Sequence, residues 1–149
     1  MNKLRALTTY LIGCRLVHPE QLDSWTEQVT LDLVWKPDVD GLHLGDMRYR
    51  AVIVLERFAD HPGRLMALLG SWLERFDAKR ADHELPAPTF DIEQLDNDLA
   101  DVELTLEFIE PQYLAEDEAG EIEAFGQRWA FVPFDLWVAE QGEVASHGA

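Results

Sequence analysis

Basic residues are the scarce ones in this chain: 12 Lys and Arg stand against 29 Asp and Glu among 149 residues, a formal net charge of −17. None falls between Arg80 and Arg128, a stretch that holds 15 acids. A nucleic acid finds no cationic surface here on which to release its counterions, so tight phosphate-backbone binding is excluded as the main activity. Cysteine is almost missing too. Cys14 stands alone, which rules out an intrachain disulfide and gives no sign of an oxidising compartment; the expectation for it is burial as a small hydrophobe. No apolar run is long enough for a membrane helix. The opening stretch MNKLRALTTYLIGC is interrupted by Arg5, Thr8 and Thr9 and is followed by no small-residue cleavage site, which reads as no signal peptide and a cytoplasmic protein without a membrane partner.

The signatures of common chemistry are also lacking. There is no Gly-rich phosphate loop, nucleophile elbow, HExxH or CxxC. The five histidines, His18, His43, His61, His83 and His147, are scattered and mostly sit in expected loops. His43 with Asp46, or Asp60 with His61, offers too few donors to close a metal site. Carboxylate pairs such as Glu103 and Glu107 arise from composition alone, and acid–base work needs a pocket that drives their pKa values apart. Of the five tryptophans, Trp25, Trp35, Trp72, Trp129 and Trp137, the second and third fall on expected core faces, which favours packing over a sugar platform. No catalytic residue, cofactor or metal ligand is therefore assigned, and the expectation is a protein that is not an enzyme.

What the chain does have is 47 % apolar residues, enough for one sizeable core. Leu4, Leu7, Leu11 and Cys14 recur at helical spacing and predict an amphipathic helix over 3–15, ended by a turn at His18 and Pro19. Residues 28–35 alternate, with Val29, Leu31, Leu33 and Trp35 on one face, as a half-buried strand does. A Pro-, Asp- and Gly-rich loop is expected over 36–46. Residues 48–58, apolar on both faces across AVIVL, read as a central strand and as the antiparallel partner of the first. Pro62 opens a second helix whose wide apolar face is Leu65, Leu68, Leu69, Trp72, Leu73 and Phe76. A charged, Pro-bearing connection over 78–89 leads to strands at 90–95 and 102–109, joined by an acidic turn at Asp96, Asn97 and Asp98. The tract EDEAGE reads as an exposed hairpin tip flanked by 122–129, and residues 131–137 as a last extended piece at a sheet edge because of Pro133. This order gives a two-layer α+β domain, with helices on one face of a mostly antiparallel or mixed sheet. A single domain over 1–140 and a flexible tail over 141–149 are expected.

Several phrases together resemble one family: MNKLRALT at the start, RYRAVIVLERF followed by LMALLGSWLERF, the strand DVELTLEFIE at 101–110, and the late pair Leu136 and Trp137. In that order and spacing, from Met1 to about Trp137, the chain resembles the R-protein family of phage tail completion proteins. These occur in temperate contractile-tailed phages and in phage-tail-like R-type bacteriocins. The resemblance implies a tail-terminator-like fold and a hexameric ring on the head-proximal end of the tail. Such a ring stops growth of tube and sheath and meets neck or head-completion proteins. It implies assembly in the bacterial cytoplasm followed by residence in the particle, and it carries no catalytic residues.

The candidate surfaces are then two. Glu116, Asp117, Glu118, Glu121 and Glu123 face either a central channel, where negative charge keeps DNA from sticking, or a basic partner. Trp129 and Phe131, expected to be exposed, are candidates for the contact between subunits. Two other classes stay open at this point: an acidic DNA mimic or small binding module, expected to be a monomer, and a small hydrolase with clustered carboxylates in a cleft.

Overall fold

A computed structural model of the protein describes residues 1–133. Its elements in chain order are α1 (Asn2–Gly13), a 3₁₀ turn (Pro19–Gln21), β1 (Leu22–Asp38), β2 (Gly41–Phe58), α2 (Pro62–Phe76), a second 3₁₀ segment (Ala78–His83), β3 (Thr89–Gln94), β4 (Ala100–Glu116), β5 (Ile122–Ala124) and β6 (Gln127–Val132). The strands form one sheet in the order β1-β2-β4-β6-β5, with β3 also paired to β4. The fold class is α+β, with a curled antiparallel sheet and helices. The expected tail over 141–149 and the extended piece beyond Pro133, Leu136 and Trp137 included, lie outside the described residues.

The chain divides into two compact units, one of Met1–Gln28 with Tyr49–Phe108 and one of Val29–Arg48 with the chain from Ile109 onward. The first unit holds both helices. Leu4, Leu7 and Leu11 of α1 and Leu65, Leu69 and Trp72 of α2 are buried, as their 3.6-residue spacing requires. They cover strands that alternate or run fully apolar: Ala51, Val52, Ile53 and Leu55 of β2, and Val102, Leu104, Leu106 and Phe108 of β4. Phe108 is the meeting point. Its ring lies 6.0 Å from that of Trp72, edge to face, and 5.8 Å from that of Tyr49, whose hydroxyl accepts the Leu4 N–H of α1 at 3.2 Å.

Where α2 ends, Asp77 is buried, and a buried carboxylate needs partners. It has two: Lys3 Nζ at 2.7 Å and Arg80 Nη1 at 2.6 Å. Arg80 also donates to the Glu107 carbonyl at 3.1 Å, so a single guanidinium fixes the return of the chain to the sheet. At the other end of α2, His61 Nδ1 caps the Gly63 N–H at 2.9 Å, and Asp60 receives both the His61 N–H and the Arg64 guanidinium at 2.7 Å each. The pair Asp60 and His61 thus serves as helix-capping chemistry.

The second unit is built around Leu42, Leu114 and Trp129, with Trp35, Ile122 and Ala124 packed against them. Its strand β6 runs antiparallel to β4, Glu116 opposite Trp129 and Tyr113 opposite Val132, and β5 folds back on β6 with Ile122 opposite Trp129.

Three expectations fail, and the bounds of one expected strand widen. The loop over 36–46 is instead a tight hairpin: β1 continues to Asp38 and β2 starts at Gly41, because two residues are enough to reverse an antiparallel pair. The strand at 28–35 is part of a longer one whose alternation is broken at Gln28 and Trp35, both in the left-handed region at φ 51°. Its apolar face is not half-buried, since Val29, Leu31 and Leu33 are 48, 49 and 64 % exposed; alternation shows which residues share a face, not what covers them. Cys14 is only partly buried, because it ends α1 with its N–H bonded to the Tyr10 carbonyl at 3.0 Å.

Candidate functional site

The acidic stretch is divided between the two units. In the first it forms the β3–β4 hairpin. The register sets Asp91 opposite Glu103 and Glu93 opposite Asp101, so like charges face each other across the ladder. Such pairs destabilise a sheet. Asp101 is relieved by accepting the Arg57 N–H at 2.9 Å. The turn between the strands is held by Asp96, whose carboxylate accepts the N–H groups of Asp98 and Leu99 at 2.8 and 2.9 Å. That is the side-chain turn expected of Asp at this place.

In the second unit, Glu116, Asp117, Glu118, Glu121 and Glu123 are all exposed. Their backbone is nonetheless well fixed. Asp117 donates its N–H to the Arg128 carbonyl at 3.0 Å and accepts the Gly120 N–H at 2.8 Å, while its side chain accepts the Ala119 N–H at 2.9 Å. Gly120 is buried against the carbonyl of Trp129, so close that a Cβ would collide with backbone; only glycine fits. The expected tip is therefore a compact turn tied down at both ends. Arg128 donates to the Gly120 carbonyl at 3.1 Å and to Glu123 at 2.8 Å, offsetting one of the five acids. Glu110 is 1 % exposed and contributes nothing to the surface.

Trp129 and Phe131, the two candidates for a subunit contact, separate. Trp129 is only 4 % exposed, against the expectation, because it belongs to the apolar cluster and its indole N–H donates to the Ala124 carbonyl at 2.8 Å. Phe131 is 49 % exposed.

A further acidic corner was not foreseen. His43 stacks on Tyr113 with ring centroids 4.7 Å apart and bonds Asp46 at 3.0 Å. Burial pushes the Tyr113 hydroxyl above its ordinary value, and the nearby carboxylates of Asp38, Asp46 and Asp40 push it further. The His43 and Asp46 spacing was legible; the arrival of Tyr113 from β4 required the topology. Among the described residues no group of three His, Cys, Asp or Glu is placed to hold a metal. No described helix is long and apolar enough to cross a membrane.

The described residues thus offer fixed acidic surfaces and exposed apolar strand residues on an α+β frame. Residues 1–133 match the family model for P2 phage tail completion protein R (GpR), and the chain belongs to this family of phage tail completion proteins. No curated protein and no solved structure matches the chain. Family membership gives it a structural role in the phage tail.

Proposed function

We propose that this protein caps the head-proximal end of a phage tail as a hexameric ring, ends the growth of tube and sheath, and presents a surface to neck or head-completion proteins. The observation that carries this reading is family membership across all the described residues, 1–133. A homomeric cap on a rotationally symmetric tube closes through heterologous contacts repeated around one axis. The acidic surfaces support the reading as well. Glu116, Asp117, Glu118, Glu121 and Glu123 sit on a rigid, exposed turn, and the facing acids of β3 and β4 persist although they oppose folding. A channel that passes DNA needs a wall that repels phosphate, and a basic neck protein needs an acidic counterpart. Assembly then takes place in the bacterial cytoplasm, and the protein remains with the particle, either a contractile-tailed virion or a pyocin-like tail. No enzymatic activity and no cofactor are part of this reading.

The test is to label the protein in assembled tails and count it. About six copies at the head-proximal end alone are expected of a closed ring. Copies along the tube, or none in purified tails, would overturn the reading.

A further inference from the structure

Strand β1 lies at one end of the sheet, so among the described residues one of its edges carries backbone N–H and C=O groups that no strand pairs. Along this edge Val29, Leu31, Leu33 and Val34 are exposed. A long apolar edge strand invites another chain unless it is covered. Near the opposite end of the strand order a second open edge occurs. β5 pairs β6 only at 127–129, while β4 holds the other side of β6 as far as Val132. Residues 130–132 therefore have one edge without a strand among the described residues, and Phe131 and Val132 are exposed there. Both edges belong to the second compact unit.

The charges single out the same two segments. In a chain of net charge −17, two copies can approach only where acids are few. Over 28–35 the sole charged residue is Asp32, and over 124–133 it is Arg128. The two segments are apolar, carry opposite single charges and lie toward opposite ends of one sheet.

We propose that β1 of one copy pairs edge to edge with residues 130–132 of β6 in the next copy. The occupant of the exposed β1 edge is thus a second copy of this chain. The contact joins two different edges, so it is heterologous, and with the twist of the sheet it propagates around an axis. This inference rests on the ring reading above and specifies which surfaces close the ring.

Cysteine pairing in assembled tails tests it. In a Cys14→Ser background, the double variants Leu31→Cys with Phe131→Cys and Leu31→Cys with Val132→Cys are oxidised within tails and run without reductant. At least one of the two pairs gives a ladder of linked copies, whereas Leu31→Cys alone gives none. Dimers from Leu31→Cys alone would mean that β1 meets β1 and would overturn the proposal. So would linkage of Leu31→Cys to Val138→Cys in place of β6, which would assign the edge to the C-terminal segment. Tails that keep their ring but give no ladder with either pair overturn the inference and leave the ring reading standing; tails without the protein overturn the ring reading itself. A second variant avoids the thiols. Leu31→Lys with Leu33→Lys changes only exposed side chains, so the isolated protein melts as before, while its incorporation into tails falls by about tenfold or more. Unchanged incorporation would count against the proposal.

Discussion

Trp72 shows most clearly how one residue holds the first unit together. Its ring is buried against Phe108 of β4 and beside Phe76, on the face that helical spacing assigns to the core. Trp72→Ala is expected to cost about 3–5 kcal/mol, a large part of the stability of a domain this size. Thermal unfolding checks this, and an unchanged melting temperature would show that α2 packs elsewhere. Tyr113 makes a second residue-scale prediction. Burial and the carboxylates of Asp38, Asp46 and Asp40 raise its pKa above 10.0, so the folded state holds the phenolic proton more tightly than the unfolded chain. The sign follows: the stability linked to this group is fully present below pH 10 and is lost as pH rises through the folded-state value. The tyrosinate absorbance missing from a Tyr113→Phe variant should therefore develop above the model-peptide range, and titration at or below it would contradict the assignment.

At the scale of elements, the facing acids of β3 and β4 are the most informative feature. Asp91 stands opposite Glu103, so Asp91→Lys turns a repulsive cross-strand pair into an attractive one. The exchange should stabilise the isolated protein by roughly 0.2–1 kcal/mol, read as a higher melting temperature. If it lowers the melting temperature, the register or the exposure of this hairpin is wrong. The two helices and the central run AVIVL were legible because helix period, Pro62 and a doubly apolar strand are local signals. The acidic turn at Asp96 was equally local. The register that brings Asp91 to Glu103 was not, since nothing within either strand states its partner. The alternation of Val29, Leu31 and Leu33 predicted a strand correctly and its burial wrongly, for the described residues supply no cover on that side. Trp129 erred the other way. A tryptophan after an acidic tip looks exposed until Leu42 and Leu114 close over it from strands far apart in sequence.

For the whole molecule the question is what a net charge of −17 is for. The acidic turn distinguishes the two destinations. Changing Glu116, Asp117 and Glu118 together to Lys leaves tails assembled but slows DNA passage if the turn lines a channel. If it docks on a basic partner, assembly itself fails, and the unmodified contact weakens steeply with salt. Normal assembly together with normal infectivity would reduce the acidic turn to a solvated surface. The central claim, that this chain ends tail growth at the head-proximal side, is tested most directly by measuring tail lengths in electron micrographs of particles made without it. The account predicts tails of uncontrolled length that fail to join heads; tails of uniform normal length joined to heads would contradict it.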